Sequence, residues 1–374
     1  MFLTFIIPVY NGENYLAECL DSLLDQDLPE SEYEIICVDD ESKDASPEIL
    51  KQYAAEHENI RLVFKKHAAF NSRNRGVEMS NGDYIWLVDQ DDLILPQSLG
   101  FLQKMLLETG CDRLYFRYYE FPDELTDRER KLIAEHKIRP NSGDGKENSV
   151  VWSSVFKKQF LMDNDVWPHS KRLGYRSGGF GSDAFFISEC REANAVEYKL
   201  TDLPFYFYRK HSDQSVSVFS DALCKKRIQC ALDYPIIFKE EYEKAVQEKG
   251  HADFKETMEL VAKTRHCAQA MQKLPRKWAK VGMQRMRDAG LYPLELPDIY
   301  KENYSWLDCV KAKNGMGPLK SIAFYYSTKP LGLALYTLLD VRTHLEVIRN
   351  SSPLAQKARR TLLQVMNYLR NMRS

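Results

Sequence analysis

Four apolar runs near the start of the chain, at residues 3–9, 33–38, 60–65 and 84–88, are each too short for a core helix, and helical periodicity fills the gaps between them. Residues 12–26 place Tyr15, Leu16, Cys19, Leu20, Leu23 and Leu24 on one helical face, Ser46-Pro47 opens a helix to about residue 57, and 69–80 reads as a third. Strands that alternate with helices need crossover connections, and crossovers give a parallel sheet covered on both faces. Such sheets bind ligands at the carboxyl ends of their strands. Those ends read Pro8-Val9-Tyr10-Asn11, Val38-Asp39-Asp40-Glu41-Ser42 and Val88-Asp89-Gln90-Asp91-Asp92, so polar side chains from three strands are expected on one rim.

The third strand end says most about chemistry. Asp89, Asp91 and Asp92 follow directly on a buried strand, where like charges repel and raise one another's pKa unless a cation compensates. Hard oxygen donors suit Mg²⁺ or Mn²⁺, which keep waters and bridge one or two carboxylates to substrate phosphates. A solvated acidic loop would leave the same short pattern. The first strand is not followed by G-x-G-x-x-G and the chain has no G-x-x-x-x-G-K-[ST], so neither a dinucleotide fingerprint nor a P-loop is there to cradle phosphate.

At 374 residues the chain is long enough for two or three domains, and 44% hydrophobic with 28% charged residues is the composition of a soluble globular protein. A net charge of -2 gives no overall pull toward nucleic acid. The sign is uneven: from residue 319 onward Lys320, Lys329, Arg342, Arg349, Lys357, Arg359, Arg360, Arg370 and Arg373 face only Asp340 and Glu346. Eight scattered cysteines without a C-x-x-C pair read as reduced thiols of a cytosolic protein. The opening residues lack a signal peptide's charged region and cleavage site, and no uninterrupted apolar run is long enough to cross a bilayer. The expected location is therefore cytoplasmic.

Further along, a helix is expected at 97–108 and an aromatic-rich strand at 111–121, followed by a charged insertion at 122–146 with helical character at 124–137. Asp183 lies in Gly-Phe-Gly-Ser-Asp-Ala-Phe-Phe, where adjacent aromatics would desolvate a carboxylate and suit it to general-base work; capping the helix that runs to Cys190 is the alternative. Tyr208, Arg209, Lys210 and His211 form a basic, imidazole-bearing segment able to hold a leaving anion. Beyond residue 221 strand alternation gives way to helices at 222–249 (broken at Pro235), 253–272 and 275–289, then a Pro- and Gly-punctuated stretch at 293–318. A last helix at 354–372 gathers Leu354, Ala358, Leu362, Val365, Leu369 and Met372 on one face, with basic residues away from it. It fits an anionic membrane surface, or equally packing on its own domain or a second subunit.

Pro8 to Asn11, Val38 to Ser42 with Asp44, Ser72-Arg73-Asn74-Arg75-Gly76, and Gly82-Asp83-Tyr84-Ile85 through Asp92 together resemble, in order and spacing, the family 2 glycosyltransferases of the GT-A fold. The resemblance is strong over about the first hundred residues and weakens toward Ser217. It implies an α/β nucleotide-sugar-binding domain with a mostly parallel, Rossmann-like sheet at 1–218, its nucleotide-sugar half about 1–110 and its acceptor half about 111–218, and a helical region at 219–374. By the same resemblance Pro8, Tyr10, Asn11, Asp39, Asp40, Arg73, Asp89, Gln90 and Arg209 would contact the nucleotide-sugar. Asp89 and Asp91, with His211, would hold Mg²⁺ or Mn²⁺, Asp92 would support them, and Asp183 would be the base. The chain departs from the family at Glu41, where many relatives carry Gly, and at Ser182, where many carry Glu.

The implied activity is a metal-dependent, inverting, hexosyltransferase-like reaction from a UDP-sugar to a glycan or lipid-linked glycan in bacterial capsule or lipopolysaccharide assembly. The implied location is the cytoplasm or the cytoplasmic face of the membrane, with homo-oligomerisation left open. A sugar nucleotidyltransferase would need a Gly-rich loop with Arg and Lys where Pro8-Val9-Tyr10-Asn11-Gly12 stands. An inactive nucleotide-sugar-binding scaffold would be expected to lack the acidic residues that this chain retains. Donor sugar, acceptor and linkage are set by loops and are not legible in any motif.

Overall fold

The computed structural model describes residues 1–64, 72–142, 150–171, 182–212, 219–249 and parts of 260–291. The chain divides into two units, Met1–Lys226 and Arg227–Ser374.

The first unit opens as the periodicity predicts: β1 (Leu3–Val9), α1 (Leu16–Leu24), β2 (Tyr33–Asp39), α2 (Ser46–Glu56), β3 (Ile60–Phe64), α3 (Ser72–Met79) and β4 (Tyr84–Leu87). After β5 (Leu93–Ile94) and α4 (Leu99–Thr109) come β6 (Arg113–Phe116), β7 (Tyr118–Pro122), α5 (Asp127–Ala134), β8 (Ser154–Lys157) and α6 (Lys158–Asp163). Then follow α7 (Ser182–Glu192), β9 (Glu197–Leu200) and β10 (Tyr206–Lys210). The main sheet runs β3-β2-β1-β4-β8-β6-β9, with β1 to β4 mutually parallel and β8 antiparallel to both its neighbours. Chain order reverses between β1 and β4, which opens a crevice beyond their carboxyl ends.

Side-chain alternation along β4 fills both faces of the sheet. Tyr84, Trp86 and Val88 join Phe5, Ile7, Val9 and the buried residues of α1 and α4 on one side, while Ile85 and Leu87 meet Ile6, Val77 of α3 and Phe186 of α7 on the other. Trp86 is fully buried and its indole N–H donates to the Trp152 carbonyl at 2.7 Å. Truncating it to alanine would cost about 3–5 kcal/mol. Both faces of β4 are therefore packed, and the acids that follow it sit on a rigid base.

The aromatic run at 111–121 is two strands rather than one. β6 belongs to the main sheet, whereas β7 lies in a second sheet, β5-β10-β7, where Tyr206 of β10 stands opposite both Ile94 and Tyr118. This small sheet carries β10 to the acidic turn.

α8 (Asp221–Lys249) continues through Pro235 instead of breaking there. A proline inside a helix removes one N–H and crowds the preceding turn at a cost of about 3 kcal/mol; the buried Ile228, Leu232, Ile237, Phe238 and Tyr242 supply apolar burial on either side of it. In the second unit α9 (Arg276–Asp288) buries Trp278, Gly282 and Met286. The helix expected at 253–272 is described only in part, and the stretch at 293–318, the basic tail and the helix at 354–372 lie outside the described residues. Among the described residues no helix is long and apolar enough to cross a membrane.

Candidate active site

The ends of β1, β2 and β4 are laced together by backbone hydrogen bonds. Tyr10, at the tip of β1, is 55% exposed. Its N–H donates to Gln90 Oε1 at 2.8 Å and its carbonyl accepts from Gln90 Nε2 at 3.1 Å, so one amide side chain spans the crevice between β1 and β4. A Cβ at Gly12 would lie 2.6 Å from the Gln90 amide, so a larger residue there would push that side chain out of its place against Tyr10. Pro8 pairs with Val38 of β2. The β4 register ends at Ile6, so the donor that Pro8 lacks is not needed by β4.

Asn11 ties the β1 loop to the β2 loop: its N–H donates to Ser42 Oγ at 3.0 Å and its side-chain oxygen accepts from the Lys43 N–H at 2.8 Å. Gly12 N–H donates to Ser46 Oγ and Glu13 N–H to Asp44 Oδ2. Desolvation opposes ionisation of Asp44, but the N–H groups of Glu13 and Ser46 outweigh it and hold the carboxyl below the usual range. Asp39 is buried; Oδ2 accepts from the Ser42 N–H at 3.2 Å, and Oδ1 has no hydrogen-bond partner among the described residues. Asp40 follows, half-buried, its N–H on the Val9 carbonyl. Glu41 then takes a left-handed φ of 62°, a conformation that glycine adopts at no steric cost.

Beyond β4 the chain places Asp89, Gln90 and Asp91 half-buried and Asp92 fully buried. Asp92 is structural. Its Oδ2 accepts from the Tyr206 hydroxyl at 2.7 Å and Oδ1 from the Arg209 N–H at 2.8 Å, while the Tyr206 oxygen itself accepts from the Asp89 N–H at 3.1 Å. Burial, then the charges of Asp91 and Asp89, push the Asp92 carboxyl well above its ordinary range. Burial and Asp89 likewise raise Asp91, against a hydrogen bond from His211 that lowers it. The crowding of like charge inferred from the sequence is present.

Arg73 enters this turn from α3. Nη2 donates to Asp89 Oδ1 at 2.7 Å and Nη1 to Asp183 Oδ1 at 2.8 Å, while Asp183 Oδ2 lies 3.5 Å from the Val151 N–H. Burial would lower the Arg73 pKa, but the two carboxylates outweigh it and raise it. The rest of the Arg-Asn-x-Gly element holds the helix in place. Asn74 exchanges hydrogen bonds with the backbone of His169 at 2.8 and 2.7 Å, and a Cβ on Gly76 would meet Ile6 Cγ2 of β1 at 2.2 Å.

On the other side, His211 Nε2 lies 2.9 Å from Asp91 Oδ2 and the imidazole ring packs 4.5 Å from that of Tyr15. The side chain is 7% exposed, and its buried Nδ1 has no hydrogen-bond partner among the described residues. Arg209, expected against the nucleotide-sugar, lies with its guanidinium inside the protein. Nε donates to the Asp91 carbonyl at 2.8 Å, the Nη groups reach the Asp123 carbonyl and Glu18 Oε2, and the plane rests between Tyr15 and Phe121. Strand alternation is the reason: β10 turns residues 207 and 209 inward, so Arg209 buttresses the acidic turn from within.

Asp89, Asp91, Arg73, Asp183 and His211 thus form one connected cluster, with Tyr10 and Gln90 at its edge and Asp39 and Asp40 along the neighbouring strand end. Tyr15, Glu18, Asp123 and Tyr206 support it without having been marked by any motif, because each acts across a long sequence separation. Of the described residues, no group of three or more His, Cys, Asp or Glu side chains is arranged as a metal cage.

Residues 4–173 match the profile described as glycosyl transferase family 2. A poly(ribitol-phosphate) beta-glucosyltransferase of Bacillus spizizenii is 43% identical over 105 residues, 26% of this chain and 16% of that protein. The uncharacterized glycosyltransferase EpsJ of Bacillus subtilis is 27% identical over 227 residues, 58% of this chain and 63% of that protein. A crystal structure of S. aureus TarS 1-349 in complex with UDP-GlcNAc aligns over 81% of this chain and 92% of its own, at 19% identity and a TM-score of 0.48. The chain spans less than two thirds of the curated relatives it matches first, 16% of one and 62–64% of three others.

Proposed function

Residues 4–173 form a glycosyl transferase family 2 domain, and from that premise we propose that the chain transfers a sugar, with inversion, from a nucleoside-diphosphate donor, UDP first among them, to a hydroxyl of a bacterial surface glycan or lipid-linked glycan. One observation carries this reading: Arg73 ties Asp89, at the end of a buried strand, to Asp183, at the start of a distant helix, and Asp91 with His211 flanks the same turn.

Tyr10, exposed beside the crevice, offers a ring face to the base, and the unsatisfied Asp39 oxygen together with Asp40 offers acceptors to base N–H groups. Asn11 and Gln90 fix the shape of that subsite through their backbone contacts. Asp183 takes the proton of the acceptor hydroxyl. The acceptor oxygen then forms a bond to the anomeric carbon as the bond from that carbon to the donor phosphate breaks on the opposite face. The electron pair leaves with the nucleoside diphosphate, and the anomeric centre is inverted in one displacement.

The donor set fits a divalent cation that draws most of its ligands from phosphate and water. Asp89 and Asp91 supply the hard oxygens that Mg²⁺ or Mn²⁺ needs from a protein when a diphosphate is present, and His211, with Nε2 on Asp91 Oδ2, would stand beside them. Such an ion would neutralise charge on the leaving diphosphate. Arg73 would do part of the same work from the other side of Asp89.

The test is slow hydrolysis of a panel of UDP-, GDP- and dTDP-sugars without acceptor, with and without Mn²⁺. Turnover of one donor, dependent on the metal, is expected. No turnover and no binding of any nucleotide-sugar would contradict the reading.

A further inference from the structure

The small net charge of the chain conceals a strong separation of sign. Residues 1–226 carry 27 Lys and Arg against 39 Asp and Glu, a net of -12, whereas residues 227–374 carry 25 against 15, a net of +10. Within the second unit, described basic residues concentrate on α9. Lys273, just before the helix, and Arg276, Lys277, Lys280, Arg285 and Arg287 on it are all exposed, and Asp288 is the one acid among its residues.

The ridge has a shape as well as a sign. At about 100° per residue, Arg276, Lys280 and Arg287 fall within about 40° of one another around the helix and span about 16 Å along it. Trp278, Gly282 and Met286 point the opposite way into the unit, where a Cβ on Gly282 would meet Met271 Sδ at 2.3 Å. Lys273, Arg276, Lys280 and Arg287 form no ion pair among the described residues. Like charges at i and i+4, as at 276 and 280, destabilise a helix. A polyanion laid along the ridge would relieve that repulsion.

We propose that this ridge is the docking site of an acidic acceptor polymer, a flexible chain that bears phosphodiester charges along its length. The inference rests on the glycosyltransferase reading for the role of that polymer as acceptor. A catalytic unit of net -12 repels such a chain, and a basic surface elsewhere on the same protein raises its local concentration. A bilayer is the poorer partner for this face. Helices that lie in a membrane interface turn Trp, Phe or Leu outward, whereas α9 turns Trp278 inward and exposes only Val281 among its larger apolar side chains.

Binding of fluorescently labelled poly(glycerol phosphate) to the full chain, followed by anisotropy, tests this directly. Neutral dextran and vesicles of phosphatidylcholine with phosphatidylglycerol serve as the competing partners. Affinity for the polymer should fall about ten-fold between roughly 50 and 200 mM salt. The triple variant Arg276→Glu, Lys280→Glu, Arg287→Glu should lose at least about ten-fold in affinity, and the corresponding triple Gln variant less, since neutralising charge removes attraction without adding repulsion. Both variants should keep the wild-type melting temperature and the acceptor-free hydrolysis of nucleotide-sugar. Unchanged polymer affinity in both variants, equal binding of dextran, or binding of vesicles but not polymer would overturn the proposal. Because hydrolysis is read separately, loss of the enzymatic reading and loss of the docking site give different results.

Discussion

Asp89, two residues past the end of β4, and Asp183, in the first turn of α7, share one guanidinium, Arg73 reaching them at 2.7 and 2.8 Å. A planar fork can serve two carboxylates at once; an ammonium on a flexible stem holds them far less well. Arg73→Lys should therefore fold and still bind nucleotide, yet lose about 100-fold in transfer rate, because a misplacement of about 1 Å at the reacting groups is enough for that. Steady-state kinetics beside nucleotide titration checks the split.

Removing the charge is the harsher change. Arg73→Gln leaves two carboxylates close together without a cation between them and should lower stability by about 2 kcal/mol. Added Mn²⁺ with nucleoside diphosphate should recover more stability in this variant than in the wild type, as read by thermal melting.

Helix α3 can carry Arg73 to this position only because Gly76 lets it approach β1, where a Cβ would lie 2.2 Å from Ile6 Cγ2. Gly76→Ala should cost about 1–3 kcal/mol through overpacking. Pairing it with Ile6→Ala, which removes the Cγ2 methyl that the new Cβ would strike, should cost less in urea unfolding than the two single losses together; two losses that simply add would show that the close approach is not the cause.

The strand ends and the acidic turn were legible because they rest on local pattern: a short unbroken apolar run in β4, buried throughout, an abrupt change to carboxylates, and a helix whose first residues carry Arg73. The Tyr10–Gln90 clamp and the link from Arg73 to Asp183 depend on partners 80 and 110 residues apart, which no window of sequence contains. Arg209 shows the limit most clearly. Its residue type suggested an anion, but the strand parity that turns it inward became visible only once β10 was paired with β7 and β5. The passage of α8 through Pro235 was hidden for a related reason, since tertiary burial outweighs a local propensity.

At the amino end of β2, Glu34 is buried and accepts hydrogen bonds from Thr4 Oγ1 at 2.8 Å, Arg61 Nη1 at 2.7 Å and the backbone and side chain of Asn81. Burial works to raise its pKa, but these donors prevail and hold it below the usual range. A carboxyl with a depressed folded-state pKa contributes stability above its unfolded value of about 4.3, lost as pH falls through the folded value. Glu34→Gln should be less stable than wild type by about 2 kcal/mol at neutral pH. The gap should stay constant down to about pH 5 and narrow progressively below it, as measured by urea unfolding across that range.

Gln90 offers a test of the donor side that leaves every carboxylate in place. Gln90→Ala removes both hydrogen bonds to the Tyr10 backbone and should cost about 1–2 kcal/mol in stability. Its affinity for nucleoside diphosphate should fall by about ten-fold if the loop it braces holds the base, as read by calorimetric titration.

The central claim, that the carboxylates gathered by Arg73 form a sugar-transfer site with Asp183 as its base, is tested most directly by Asp183→Asn under single-turnover conditions. Transfer should be lost by a factor of at least about 100, while stabilisation by the nucleoside diphosphate with Mn²⁺ stays at the wild-type level. Transfer at the wild-type rate in this variant would remove Asp183 from the chemistry and contradict the account.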